Sequence, residues 1–461
     1  MPSPGPQFDE ILNREKGLHR GLSTGQLSMI AIGGAIGTGL FLGSGFAISL
    51  AGPAVLLSFA IGALIALLLM GCLAEMTVAH PTSGSFGAWA EFYVSPLAGF
   101  LVRYLYWSSI VMAVGTEVTA VGVYMRYWYP HVPGWLWIVA FSALLIAINA
   151  ANVKLFGAVE YGFSSLKIAA ILAFIALGGW FVFTGAGFGN YTSHGGFLPK
   201  GAWGMWVAVL VAIFSYFSIE MIAVAAGEAR DPHRAITRAF RATMFRLALF
   251  YLLTLALIVA MVPWTAAGAS QSPFVKVMAA THLPGAAGAI NFVILIAALS
   301  AMNSQLYITT RMMFSLSRAG YAPRRFGELN ARGAPVAALL LSTLGIAVAA
   351  VLNALYPDTS FTLMMALGMF GAMFTWLMIF VTHLFFRRRH GSRALAFRMW
   401  GYPYSTLLGA ALMLAALVTT LFTREFRMTL LCGVPLLLAI TAVFFARFRR
   451  PLAAQSTAAG D

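Results

Sequence analysis

Glu117, Lys167 and Glu220 are ionisable side chains set inside long apolar stretches of the sequence. Charge at membrane depth is strongly disfavoured, so such residues mark a substrate pathway, a proton relay or a paired network. Lys167 follows Glu160 by seven residues, about 10 Å along a helix, which is far for its stem to carry the ammonium to an interface. A lysine so placed can exchange a proton during a transport cycle. The alternative is permanent pairing with a carboxylate or with helix-end carbonyls. Glu117 suits a partner, a pH sensor or a pocket wall, and its position alone does not separate these. Glu75, near the end of its stretch, suits a structural contact.

Main-chain groups offer a second kind of chemistry. Six glycines fall within the thirteen residues from Gly33 to Gly45, and each weakens a helix interior by about 1 kcal/mol relative to alanine. Unwinding is therefore expected there, and unwound backbone at membrane depth is tolerated only where protein covers it or it lines a cavity. Gly33 and Gly37, and likewise Gly39 and Gly43, are four apart, so close helix packing is the alternative. Packing alone does not require six. Amides near Gly37, Thr38 and Gly39, opening a second half-helix just after Ile36, would favour an anion. Carbonyls around Ile32, Gly33 and Ala35 would suit a cation, and a zwitterion presents both. A later stretch, Phe214-Ser215-Tyr216-Phe217-Ser218-Ile219-Glu220, spaces polar groups through an apolar segment. Its hydroxyls could simply bond the preceding turn and its rings simply pack. In the functional reading Ser215, Phe217, Ser218 and Glu220 line a site, and Phe214 or Phe217 closes over it.

Such residues need a lipid-spanning frame. Hydrophobic residues make up 60% of the 461 and charged ones 9%, with a mean hydropathy of +0.85, far beyond soluble domains. Twelve stretches are long enough to cross a hydrocarbon core of about 30 Å: 26–50, 53–79, 97–125, 134–153, 160–184, 204–227, 240–263, 286–316, 336–356, 361–386, 403–423 and 427–447. The net charge of +15 is unevenly placed. Arg230, Arg234, Arg238, Arg324, Arg325, Arg332 and Arg387 to Arg389 fall on one side; Arg126, Lys200, Lys276, Arg424 and Arg427 fall on the other. The positive-inside rule puts both termini in the cytoplasm. These arginines occupy short loops, which argues against nucleic-acid binding. Cys72 and Cys432 both lie in apolar stretches, so no disulfide framework is expected. The first 25 residues carry no secretory pattern, and the first stretch is expected to stay as a membrane helix.

The sequence thus predicts an all-α membrane protein of twelve transmembrane helices. Residues 1–25 form a cytoplasmic segment, 26–184 helices 1 to 5, 204–386 helices 6 to 10, 403–447 helices 11 and 12, and 448–461 a cytoplasmic tail. Segments 1 and 6 run in opposite directions, and longer loops recur at 80–96 and 264–285. That is the pattern of an inverted five-plus-five repeat, with interrupted helices 1 and 6 meeting near the midplane.

Several stretches resemble the bacterial amino acid permeases of the amino acid-polyamine-organocation superfamily, in the branch of aromatic, proline, histidine, lysine and γ-aminobutyrate permeases. They include Gly33 to Gly45, Ala51-Gly52-Pro53, Leu73-Ala74-Glu75-Met76, Pro81-Thr82-Ser83-Gly84-Ser85-Phe86 and Tyr106-Trp107. Glu117-Val118-Thr119-Ala120-Val121-Gly122, Asn152 to Gly157, Ser165-Leu166-Lys167-Ile168, Gly227 to Pro232, Ser272-Pro273-Phe274 and Asn303-Ser304 continue it. The resemblance implies that Gly37, Thr38 and Gly39 receive the substrate carboxylate, with Ile32 and Gly33 beside the carbonyls that receive its amino group. It likewise makes Ser215 and Phe217 part of the sixth-helix binding stretch, Phe214 an aromatic gate, and Lys167 the lysine linked to proton coupling. The chain departs from the family pattern at Ser218, usually glycine, at Arg103 and Tyr104, usually Gly-Trp, and at Ala158, Gly162 and Thr237.

The expected function is proton-coupled import of a neutral amino acid by alternating access in the bacterial cytoplasmic membrane. Glu117 and Glu220 join Lys167 as coupling candidates. The partners are amino acid, proton and bilayer, with neither cofactor nor metal, and with sodium less suited than the proton. An exchanger or a cationic amino acid permease on the same fold is the alternative. A membrane hydrolase fits poorly: no His-Glu-x-x-His occurs among the eight histidines. Nothing in the sequence sets the oligomeric state.

Overall fold

The computed structural model describes Phe8, Ile11, Met29, Gly34, residues 36–82, 84–151, 153–225, 248–268, 270–330, 333–390, Leu395 and residues 397–448. Among the described residues every regular element is helical. A π-helical turn at Gly39–Gly43 runs into α1 (Ser44–Ala51), and α2 (Val55–Ala79) follows. Next come the short α3 (Ser85–Tyr93), α4 (Pro96–Met125), α5 (Gly134–Ala151) and α6 (Val153–Phe181). The second half brings α7 (Gly201–Tyr216), α8 (Met221–Ala225), α9 (Ala248–Met261), the short α10 (Pro273–Ala280) and α11 (Ala286–Arg318). Finally α12 (Val336–Ser342), α13 (Leu344–Leu355), α14 (Ser360–His390), α15 (Tyr404–Thr419) and α16 (Arg427–Arg447) complete it.

Nine helical stretches among the described residues are long and apolar enough to cross a membrane; the first, Gly39–Ala79, joins two predicted segments through a turn at Gly52. Two predicted segments fall on shorter apolar helices, Gly134–Ala150 and Ala248–Met261.

Lipid supplies no hydrophobic drive for helix association, so small residues that let backbones touch do that work. Gly345 packs on the Val111 carbonyl and Gly371 on the Leu105 carbonyl, leaving no room for a Cβ at either. These contacts seat α13 and α14 against α4, which also packs along α11 and forms the centre of the bundle. Gly62 likewise lets α2 lie against Ala212 of α7. By contrast α16 is peripheral, with Leu431 and Leu438 exposed as a lipid-facing surface requires. Arg103, one of the departures, is buried and pairs with Glu91 at 2.6 Å, which ties α3 to α4. Ser109 Oγ donates to the Gly368 carbonyl, a further link from α4 to α14.

Candidate functional site

Two of the interrupted helical segments among the described residues bear on one site. Ile36 and Gly37 form a bend between helical Gly34 and Thr38. On the other segment, Phe217–Glu220 are turns between α7 and α8. The glycine content explains the first. The second centres on Ser218, whose φ of 77° is left-handed, a region where glycine fits without strain and serine does not. Ser218 therefore stands at the position where the family pattern has glycine, and the backbone there asks for one.

The breaks meet. A Cβ on Gly39 would lie 2.6 Å from Ser215 Cα, and one on Gly34 would lie 3.4 Å from Ser218 Cβ. Between them is a small void of about 10 Å³, room for about one water. Gly34, Gly37 and Gly39 line one side and Phe214, Ser215, Phe217 and Ser218 another. Ala113 and Glu117 of α4 and Gln305 of α11 supply the remainder. Phe214 and Phe217 are each 7% exposed and meet edge to face at 6.0 Å, while Phe217 also meets Trp376 at 5.1 Å. Tyr251 of α9 donates to the Ser215 carbonyl at 2.9 Å, satisfying an acceptor next to the second break.

The buried carboxylates and their partners in these helices divide into three groups, of which two adjoin the breaks. Lys167 Nζ donates to the Ile36 carbonyl at 3.0 Å, so α6 holds the first break directly. It lies in electrostatic reach of both Glu160 and Glu117. Glu117 accepts from the Thr38 amide at 3.1 Å. Glu160, used above only to locate Lys167, is fully buried and accepts from Ser300 (2.5 Å), Ser164 (3.1 Å) and Asn303 (3.1 Å). Asn149 in turn donates to Asn303 at 2.8 Å, and the single hydroxyl proton of Ser164 is shared between Glu160 and the Met29 carbonyl, also at 3.1 Å.

Glu220 sits differently from the sequence expectation. It accepts from the Tyr106 hydroxyl at 2.8 Å, the Trp376 indole at 3.0 Å and the Ser218 amide at 3.2 Å. The carboxylate thus holds the turn of the second break from behind, and it is not part of the void's lining. Ile36 and Thr38 are buried beside the void, contributing a carbonyl and an amide instead of lining side chains. Ile32 and Gly33 lie outside the described residues. Glu75 belongs to a separate buried cluster, with Arg387 at 2.8 Å, His383 at 3.1 Å and the Met399 amide at 2.8 Å.

Sequence reasoning did not single out Ala113, Gln305, Tyr106 or Trp376 for this site. Gln305 carried a signal, an amide side chain beside Asn303-Ser304 in an apolar helix. Ala113 carried none.

Residues 26–456 match the family model described as amino acid permease. The aromatic amino acid transport protein AroP of Escherichia coli is 38% identical over 413 residues, 88% of this chain and 90% of that one. The γ-aminobutyric acid permease of Bacillus subtilis is 36% identical over 455 residues, 96% of this chain and 97% of that one. The amino acid permease YtnA of the same organism is 35% identical over 440 residues, 93% and 95% of the two chains. Among solved structures, a mutant of the Eremococcus coleocola manganese transporter superposes with a TM-score of 0.61 at 14% identity, over 96% of each chain. This last likeness concerns the fold.

Proposed function

The chain belongs to the amino acid permease family, and we propose that within it the protein is a proton-coupled importer of neutral amino acids. It is a multi-pass membrane transporter and not an enzyme. The meeting of two main-chain breaks around one void, with Gly39 against Ser215, carries the reading. Amides at Gly37, Thr38 and Gly39 take the substrate's carboxylate, where an opening half-helix favours negative charge. The carbonyl side of the first break, with Ile32 and Gly33, takes the ammonium. Ser215, Phe217 and Ser218 form the facing wall, Phe214 closes over it, and the cargo side chain lies toward Ala113 and Gln305.

A coupling ion drives uptake only by changing the relative stability of outward- and inward-facing states. Lys167 is the assigned coupling group because its bond to the Ile36 carbonyl is charge-assisted when protonated and weaker when neutral. Ten helices in an inverted five-plus-five arrangement, with two further C-terminal helices, supply the rocking frame. The short α3 and α10, at matching places in the two halves, support that symmetry. Arginine placement supports a bacterial cytoplasmic membrane with both termini inside.

The test has two steps. A thermal-shift screen against the standard amino acids identifies the cargo, since selective binding stabilises the native state by mass action. Uptake of that cargo into proteoliposomes is then followed with and without an imposed proton gradient. Concentrative uptake only with the gradient is expected; uptake that requires amino acid inside the vesicle instead would make the protein an exchanger.

A further inference from the structure

The Thr38 amide, assigned above to the substrate's carboxylate, is engaged by a carboxylate of the protein itself. Glu117 Oε2 accepts from it at 3.1 Å. Gly37 makes this approach possible, because a Cβ there would stand 2.6 Å from Glu117 Oε1 and 2.8 Å from Ala301 Cβ. From this geometry we propose that Glu117 is a tethered stand-in for the substrate carboxylate, and that the incoming amino acid displaces it from the Thr38 amide as Glu117 takes up a proton. The inference rests on the amino acid reading above.

Two anionic carboxylates sharing one desolvated amide repel, so one of them must be neutral or leave. The substrate's carboxylate is far too acidic to be the protonated partner. Glu117 is the group that can change, and its neighbours can serve either of its forms. Thr38 and Gln305 lie against it, and the Thr38 hydroxyl and the Gln305 amide each carry a donor suited to a carboxylate and an oxygen that can accept. A protonated Glu117 gains an O–H to donate to one of those acceptors. Balance is simple: one proton joins Glu117, its bond from the Thr38 amide passes to the substrate oxygen, and no covalent bond breaks. Of the titratable groups facing Glu117, Lys167 comes from α6, Tyr251 from α9 and Tyr124 from α4 itself. Glu160 lies beyond Lys167. Lys167 favours the anionic Glu117, so a proton arriving at Glu117 also loosens the hold on Lys167 and connects both to the first break.

Binding should therefore consume protons. Purified protein in weakly buffered detergent solution, over a series of pH values, receives a mixture of the standard amino acids adjusted to the same pH. A pH-indicator dye reports proton uptake, and thermal stabilisation reports binding. Above the Glu117 midpoint the native protein is expected to take up close to one proton per site, with affinity falling up to about tenfold per pH unit. In Glu117→Gln, whatever stabilisation remains should come without that proton. Stabilisation of the native protein without proton uptake, or undiminished uptake in Glu117→Gln, overturns the inference and leaves the amino acid reading standing. Absence of any stabilisation removes both. Where Glu117→Gln does not accumulate as folded protein, the infrared difference spectrum of the native protein decides. Gain of a protonated-carboxyl C=O band on adding the mixture supports the inference, and its absence overturns it.

Discussion

Replacing Gly39 with alanine tests the contact on which the void is built. The added Cβ would stand 2.6 Å from Ser215 Cα, and a main-chain atom cannot rotate aside. Overpacking of this kind costs about 1–3 kcal/mol, which corresponds to about five- to 150-fold in an equilibrium constant. Relief requires the first broken segment to withdraw from α7, and the Thr38 amide moves with it. The penalty therefore divides between folding and binding, and both must be measured. Gly43 provides the control, because it lies in the same π-helical turn and its Cβ would meet Val211 Cγ1 at 3.4 Å, an ordinary contact. Gly43→Ala should bind as the native protein does and gain up to about 1 kcal/mol from helix propensity. Thermal unfolding with and without saturating amino acid measures the two shares. If Gly39→Ala unfolds and binds like the native protein, the Gly39–Ser215 contact does not set the spacing of the two breaks.

Lys167→Ala removes the ammonium that donates to the Ile36 carbonyl; concentrative uptake should lose its dependence on the proton gradient while exchange stays measurable, and unchanged pH dependence would remove the assignment. At Ser218 the left-handed backbone predicts a ranking of thermal stability, with Gly at least equal to Ser and Val lowest, since a β-branched side chain tolerates that region worst. Valine equal to serine would contradict it. Glu220→Ala strands three buried donors, from Tyr106, Trp376 and Ser218, at about 1–3 kcal/mol each. A clear loss of thermal stability is expected, smaller in Glu220→Gln, and native-like stability of the alanine variant would show that the turn is held by other contacts.

The first break was legible because glycine weakens a helix locally, and the run from Gly33 to Gly45 is local information. Lys167 and Glu117 were legible for a similar reason, since a charge in an apolar stretch is conspicuous without knowing its neighbours. Glu220 shows where that reasoning ends. Its three donors include residues 114 and 156 positions away, and only their arrival from α4 and α14 turns the carboxylate behind the break. Gln305 was harder still: neighbours on one helix turn, Asn303 and Gln305, face a buried network and the void respectively. A sequence shows both as polar, and the rotation of α11 alone distinguishes them. The second break lacks a glycine at Ser218, so propensity gave no sign of the left-handed residue found there.

Glu160 fastens α6 to α11 by two separate donors, and Asn149 extends the seam to α5. Among the described residues the same cluster also reaches Met29, whose carbonyl shares the one Ser164 hydroxyl proton with Glu160. One proton between two acceptors holds each less firmly than an undivided bond, so the link to Met29 is the one in this cluster that yields most easily. Spin labels across α6 and α11 should therefore keep their separation through a cycle, whereas a pair spanning Ser164 and Met29 should register the swing that lets cargo leave.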